Sequence, residues 1–215
     1  LNLVPVIAQH DSPVLITGET GTGKDLLAES VHKASPRSRE PFIRFSCGPM
    51  PSELLDAELF GRVQATEGEL RPGRFQQAHG GTLYLSEISD LPLPHQSRLV
   101  RFLDEGTVLP VGASKPMRIN ARLMVSTAES PERLVQEGRL REDLFHRISA
   151  IRLHLPRLKD RGEDLGFLLH HFMSQYAARF KKQITGISPR ALRIVGGHDF
   201  PGNVRELRNI MEFAA

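Results

Sequence analysis

Gly18-Glu19-Thr20-Gly21-Thr22-Gly23-Lys24-Asp25 is the segment of this chain whose residue types and spacing say most about chemistry. It has the pattern G-x-x-x-x-G-K. Glycines at those places let backbone N–H groups close around phosphate oxygens, and the lysine supplies a compact positive charge for the outer phosphates of a nucleotide. Such a loop needs a strand before it and a helix after it, so that the helix N-terminus adds its dipole to the phosphate site. Val14-Leu15-Ile16-Thr17 is a short apolar run suited to a buried parallel strand. Leu26, Leu27, Ser30 and Val31 are expected on one face of the following helix. Asp25 stands where the general motif has Ser or Thr to hold Mg²⁺.

The elements that must position this loop follow from the remaining patterns. Phe42 to Phe45 (FIRF), Thr82 to Leu85 (TLYL), Leu123 to Ser126 (LMVS) and part of Ile148 to Leu155 are expected strands. A helix is expected from Ser52 to Phe60, with Ser52 as its N-cap, and an amphipathic helix from Gln96 to Glu105. Gly61 to Gly73 is polar and reads as irregular. Strands separated by helices imply a parallel sheet covered on both faces. After Pro156 the patterns are helical only, over Leu165 to Phe180, Pro189 to Val195 and Asn203 to Ala215. The expectation is an α/β nucleotide-binding body over residues 1–157 and a small helical lid over 158–215.

Bulk properties exclude some classes. The 215 residues are 40% hydrophobic and 25% charged, as in ordinary soluble globular chains. The net charge of +3 is too small to argue for a nucleic-acid surface. No apolar run approaches the roughly 20 residues of a membrane helix, so no membrane partner is expected. Cys47 is the single cysteine. It is expected to be a buried structural thiol, and it fits a protein of the reducing cytoplasm. His170 and His171 are adjacent and cannot chelate as an i, i+4 pair; His146 is expected to pack. The N-terminus carries no secretion signal and the last residues, EFAA, still follow a helical pattern, so a segment of a longer protein is expected.

GETGTGKD (18–25), ELFG (58–61), GRF (73–75), GGTLYLSE (80–87), LREDLFHR (140–147), LPRLKDRGEDL (155–165) and FPGNVREL (200–207) occur in this order. Together they resemble the AAA+ domain of the bacterial enhancer-binding proteins. These are NtrC-like activators that remodel RNA polymerase carrying the nitrogen-type sigma factor (sigma fifty-four). The resemblance covers nearly the whole chain. It implies an AAA+ P-loop NTPase fold, bound ATP or ADP with Mg²⁺, and self-association as a ring or dimer. It also implies RNA polymerase holoenzyme as a partner of the parent protein, with DNA contacted only by a domain outside this chain. Residue by residue, it makes Gly18, Glu19, Thr20, Gly21, Thr22, Gly23, Lys24 and Asp25 the Walker A loop. Glu87 becomes the Walker B glutamate that positions the attacking water, and Thr127 the sensor I position. Arg141 and Arg147 become arginines that reach a neighbour's nucleotide, and Arg205 the sensor II arginine. Taken by composition alone, Arg141 and Arg147 fit surface ion pairs with Glu142, Asp143 or other neighbours better than a reach to another subunit; the matched motif reverses that preference.

The sequence departs from that family in three places. Ser86 replaces the Walker B aspartate, leaving Asp25 and Ser86 as the Mg²⁺ candidates; a neutral hydroxyl is a weak ligand for a hard cation. Ser46 and Ala128 stand where the family has asparagines near the catalytic glutamate. The segment RVQATEGELRP (62–72) is short and lacks the GAFTGA sequence that touches the sigma factor, and Glu67-Gly68-Glu69 suggests a plain surface turn. The expectation is an ATP-binding, nucleotide-dependent assembly switch of a transcription regulator, with weak or no hydrolysis and no sigma-fifty-four remodelling. The alternatives are an active ATPase that remodels the holoenzyme, or a cyclic di-GMP-responsive module with Arg37, Arg39 and Arg141 as loose candidates.

Overall fold

The computed structural model describes residues 4–64, 69–184 and 186–215. In chain order the elements are α1 (Val4–Ala8), β1 (Val14–Thr17), α2 (Lys24–Lys33), β2 (Phe42–Ser46), α3 (Ser52–Phe60), β3 (Arg62–Val63) and β4 (Leu70–Arg71). Next come α4 (Arg74–Gln77), β5 (Thr82–Ser86), α5 (Leu93–Glu105), β6 (Thr107–Val108), β7 (Met117–Arg118) and β8 (Arg122–Thr127). The chain then runs through α6 (Pro131–Gln136), α7 (Glu142–Ile148), β9 (Ile151–His154), α8 (Gly162–Phe180), α9 (Pro189–Gly196) and α10 (Asn203–Ala214). The residues pack as two compact units: Leu1–Thr17 with Asp25–Leu153, and Gly18–Lys24 with His154–Ala215. No helix of the described residues is long and apolar enough to cross a membrane.

The α/β unit is built on a five-stranded sheet of order β2-β5-β8-β1-β9. β2 runs parallel to β5, β5 to β8, and β8 to β1. Every residue of β8 is buried, as are the first four of β5. A strand buried on both faces must be covered by helices on both sides, which explains the unbroken apolar runs in the sequence. The register pairs Ser46 with Ser86 and Thr17 with Thr127, so the carboxyl edge of the sheet gathers the polar residues that end each strand. In open α/β sheets that edge is where ligands bind.

Several local expectations need correction. The buried face of α2 is Ala28, Val31 and His32, while Ser30 is exposed and Leu26 is 66% exposed. The face is rotated because His32 turns inward, its Nδ1 lying 2.9 Å from the Thr82 hydroxyl and its ring beside Phe42. Helix α3 spans the expected residues, but Pro51 rather than Ser52 is its N-cap, with the N–H groups of Leu54 and Leu55 donating to the Pro51 carbonyl. Proline fixes the φ that the helix entrance needs. The segment after Gly61 is not wholly irregular: Arg62 pairs with Arg71 and Val63 with Leu70 in an antiparallel ribbon. Val63 also donates its N–H to Val111, which ties the ribbon to the loop before β7. The turn expected at Glu67-Gly68 lies outside the described residues. His146 is exposed on α7, facing Glu142, and does not pack into the core.

The helical unit has its own core of Leu158, Leu169, Phe172, Tyr176, Phe200, Leu207 and Met211. Tyr176 donates its hydroxyl to Glu212, tying α8 to α10. Helix α9 is capped by Ser188, whose hydroxyl accepts the Ala191 N–H at 3.2 Å.

Candidate functional site

The phosphate loop packs with the helical unit, between the end of β1 and the start of α2 in sequence. Gly18 has φ +149°, and a Cβ there would lie 2.6 Å from the Leu155 carbonyl oxygen. Gly21 has φ +82°, and its Cβ would lie 2.3 Å from the Gly202 carbonyl. Only glycine fits either place. Lys24 is 6% exposed, with Nζ 2.7 Å from the Gly18 carbonyl oxygen. Thr22 donates its hydroxyl to the Glu19 carbonyl at 2.8 Å. The outer limb of the loop meets the start of α10. The N–H groups of Val204 and Arg205 both donate to the Gly21 carbonyl, at 3.0 and 3.3 Å. The Arg205 side chain itself is exposed.

In the α/β unit, Asp25 sits in the first turn of α2, where the helix dipole favours a carboxylate. Its Oδ1 accepts the Tyr84 hydroxyl at 2.7 Å, and the same hydroxyl lies 2.8 Å from Ser126 Oγ. Burial, together with the adjacent Asp25 carboxylate, pushes the Tyr84 phenol above its ordinary range. Ser86 ends β5, half-buried, and its carbonyl accepts the Cys47 N–H at 3.0 Å. Glu87 follows with φ 54° and ψ 63°, a left-handed conformation that is costly for a non-glycine residue and concentrates at functional sites. Its Oε2 accepts the Ala128 N–H at 3.0 Å, so the carboxylate is held against the end of β8. Thr127 is fully buried and its hydroxyl accepts the Glu129 N–H.

For Mg²⁺, this part of the unit offers few ligands. One oxygen each of Asp25 and Glu87 is already engaged, Ser86 is neutral, and no group of three or more metal-ligating side chains occurs among the described residues. The set fits only a metal held chiefly by a nucleotide's own phosphates and by water.

The arginines expected to reach outward are each paired inside their own unit. Arg141 makes a two-pronged contact with Asp143, at 3.0 and 2.8 Å. Arg147 does the same with Asp104, at 2.6 and 2.9 Å, and reaches the Asp143 carbonyl. These pairs hold the Asp143 carboxyl below, and the Arg147 guanidinium above, their ordinary ranges. Arg37, a loose ligand candidate, is committed to the fold: it bonds Asp11, the carbonyls of Gly80 and Gly81, and Asn120. Its side chain is 14% exposed, so it is a structural clamp and not a ligand group.

Three residues escaped the sequence reading. The strand pattern around Tyr84 gives it no role of its own, although a hydroxyl inside an otherwise apolar strand signals a buried polar partner. Gln96 is fully buried and accepts the Arg141 N–H at 2.9 Å, fixing where that arginine starts. Asn203 is fully buried at φ 51°; its Nδ2 donates to Glu19 and to the Thr20 carbonyl, and its Oδ1 accepts the Leu158 N–H.

Comparison with known proteins completes this picture. Residues 1–154 match the sigma-54 interaction domain family and residues 159–215 match an AAA+ ATPase lid domain. The NtrC transcriptional regulator of Salmonella typhimurium is 43% identical over 206 residues, 94% of this chain and 44% of that protein. The putative uric acid sigma-54-dependent regulator UacR of Escherichia coli is 39% identical over 98% of this chain and 36% of its own length. The crystal structure of NtrX from Brucella abortus in complex with ATP superposes with a TM-score of 0.89 at 36% identity, covering 98% of this chain and 48% of that one. A structure of the same protein with ADP gives a TM-score of 0.90 at 36% identity, covering 98% of this chain and 47% of that one. This chain thus spans less than half the length of these relatives. The two family matches together cover all but residues 155–158, and the chain belongs to the sigma-54 interaction domain family of AAA+ transcription regulators.

Proposed function

We propose that this chain is the nucleotide-binding AAA+ module of a bacterial transcription regulator, in which ATP or ADP sets self-association while hydrolysis is weak or absent. The observation that carries the binding half is the glycine loop itself, with two glycines that admit no Cβ and a buried Lys24 at its end. The NtrX structures named for ATP and ADP complexes support the choice of ligand. The observation that carries the weak-hydrolysis half is the state of the carboxylates. Ser86 removes one, Ser46 and Ala128 replace the family's asparagines, and Glu87 is tied to the Ala128 N–H. Any Mg²⁺ is then held mainly by the nucleotide's phosphates, with Asp25 and Ser86 as the residues of this chain that would approach it; bound there, the ion would neutralise phosphate charge.

In this reading Gly18 to Lys24 bind the phosphates, and Lys24 and Arg205 supply positive charge to them. Glu87 and Thr127 are the residues left to orient water. Arg141 and Arg147 leave their carboxylate partners to meet a neighbouring copy in a ring or dimer. Residues 158–215 serve as the lid. The parent protein acts in the cytoplasm, meets DNA through a domain outside this chain, and meets RNA polymerase holoenzyme without remodelling the sigma-fifty-four form, because residues 62–72 lack an aromatic tip. A cyclic di-GMP site built on Arg37 is not retained, since that side chain is consumed by the fold.

A second reading, an active remodelling ATPase, is favoured by one observation: Glu87 keeps the left-handed conformation in which strain is stored at working sites. Steady-state ATP turnover separates the two. The proposal expects turnover far below the roughly 1–100 s⁻¹ common in phosphoryl transfer, with Ser86→Asp raising it. Turnover in that range by the unaltered protein would favour the second reading.

A further inference from the structure

The five consecutive carbonyls of Gly18 to Thr22 each accept a hydrogen bond from a protein donor. Lys24 serves Gly18, and Lys24 and Thr22 serve Glu19. The other three are served from the lid: Thr20 by Asn203, Gly21 by Val204 and Arg205, and Thr22 by Arg161 at 2.7 Å. In a trans peptide the C=O of one residue and the N–H of the next point in opposite directions. Anchoring a carbonyl therefore aims the following N–H. Holding the carbonyls of Thr20 and Thr22 turns the N–H groups of Gly21 and Gly23 away from the Asn203 and Arg161 donors.

We propose that Asn203 is a positioning residue for nucleotide binding, acting through the phosphate loop in concert with Arg161. The proposal rests on the reading of Gly18–Asp25 as a phosphate loop. Asparagine is the side chain this place demands. Its Nδ2 gives two hydrogen bonds, to Glu19 at 3.2 Å and Thr20 at 3.1 Å, while its Oδ1 accepts the Leu158 N–H at 2.8 Å. The assignment of its amide is fixed by these partners, because two acceptors on one side and a donor on the other admit a single orientation. It is fully buried and adopts φ 51°, which asparagine tolerates better than other non-glycine residues. A residue that merely opened α10 would need the contact to Leu158 and no more. The two donations from Nδ2 reach back across some 180 residues of sequence to the loop.

The test is calorimetric titration of the whole chain with ADP, which requires no turnover. Asn203→Asp keeps the size, the left-handed backbone and the acceptor for Leu158, but it removes both donations and sets a second carboxylate against Glu19. ADP affinity is expected to fall about tenfold or more, the scale of leaving buried acceptors unpaired. Far-ultraviolet circular dichroism should stay unchanged. Adding Glu19→Gln to that variant relieves the repulsion and restores a donor between the two side chains, so part of the affinity should return; a purely structural role for Asn203 predicts no such rescue. Arg161→Ala loosens the Thr22 carbonyl from a different element and should weaken ADP in the same direction. Folded Asn203→Asp binding ADP as tightly as the unaltered protein would overturn the proposal. If Asn203→Asp does not fold, unaltered affinity in Arg161→Ala would do so instead. Failure of the unaltered chain to bind ADP would remove the underlying reading of the loop, a result distinct from either.

Discussion

Lys24 and Cys47 show how one residue's surroundings decide what it can do. A lysine only 6% exposed is costly unless its charge is met, and here the Gly18 carbonyl meets it. Cys47 is 1% exposed, and burial, with the nearby carboxylates of Asp90 and Glu87, pushes its thiol up to about 12. The thiolate is the reactive form, and burial disfavours it. A thiol reagent such as Ellman's should therefore leave the folded protein unlabelled for hours and react once denaturant is added; rapid labelling of the native state would contradict the burial. At this scale the sequence was most legible where the chemistry is local. The glycine and lysine spacing announces a phosphate loop because its parts are consecutive. Asn203, Gln96 and Tyr84 were not legible, because each is defined by partners far away in sequence, as Tyr84 is by Asp25 and Ser126.

Among the elements, the apolar runs of β1, β5 and β8 were readable because central parallel strands are buried on both faces and cannot alternate. The face of α2 was misjudged because a histidine, not a leucine, turns into the core. The ribbon β3–β4 was missed because two-residue strands carry no periodicity. Arg37 is the element-scale device that no pattern announced: it ties the chain before β1 and the residues before β8 to the start of β5. Arg37→Ala takes the side-chain donor from the Gly80 carbonyl, while the Gly81 carbonyl keeps the Arg122 N–H at 3.0 Å; stability should fall by about 1–3 kcal/mol, which corresponds to a melting temperature lower by roughly 2–12 °C. An unchanged melting curve would contradict the clamp. The pH dependence has a definite sign. The Arg37 hydrogen bond holds the Asp11 carboxyl below its ordinary value of 3.8, so this contribution is present above pH 4 and is lost as pH falls through the lower folded value. Acid titration of unfolding should show Arg37→Ala losing less stability than the unaltered protein below pH 4.

For the whole molecule, family membership and a parallel sheet covered by helices were within reach of the sequence, because seven motifs in a fixed order constrain the chain along its length, whereas the strand order β2-β5-β8-β1-β9 was not. Assembly was not, since the pairing of Arg141 with Asp143 and of Arg147 with Asp104 is a property of one folded copy. Exposed pairs of this kind are weak and screened by solvent, so they yield readily to a competing partner. Sedimentation of the chain with and without ADP should show nucleotide-dependent association that Arg147→Ala abolishes; association indifferent to both would count against the interface.

The central claim is that this module binds nucleotide while hydrolysing it slowly. Its most direct test is one preparation measured twice, by ATP and ADP titration and by steady-state phosphate release, beside Lys24→Ala. Saturable binding is expected of the unaltered protein, none of Lys24→Ala, and phosphate release well below the roughly 1–100 s⁻¹ typical of phosphoryl-transfer enzymes. Release within that range, or binding that survives Lys24→Ala, would contradict that claim.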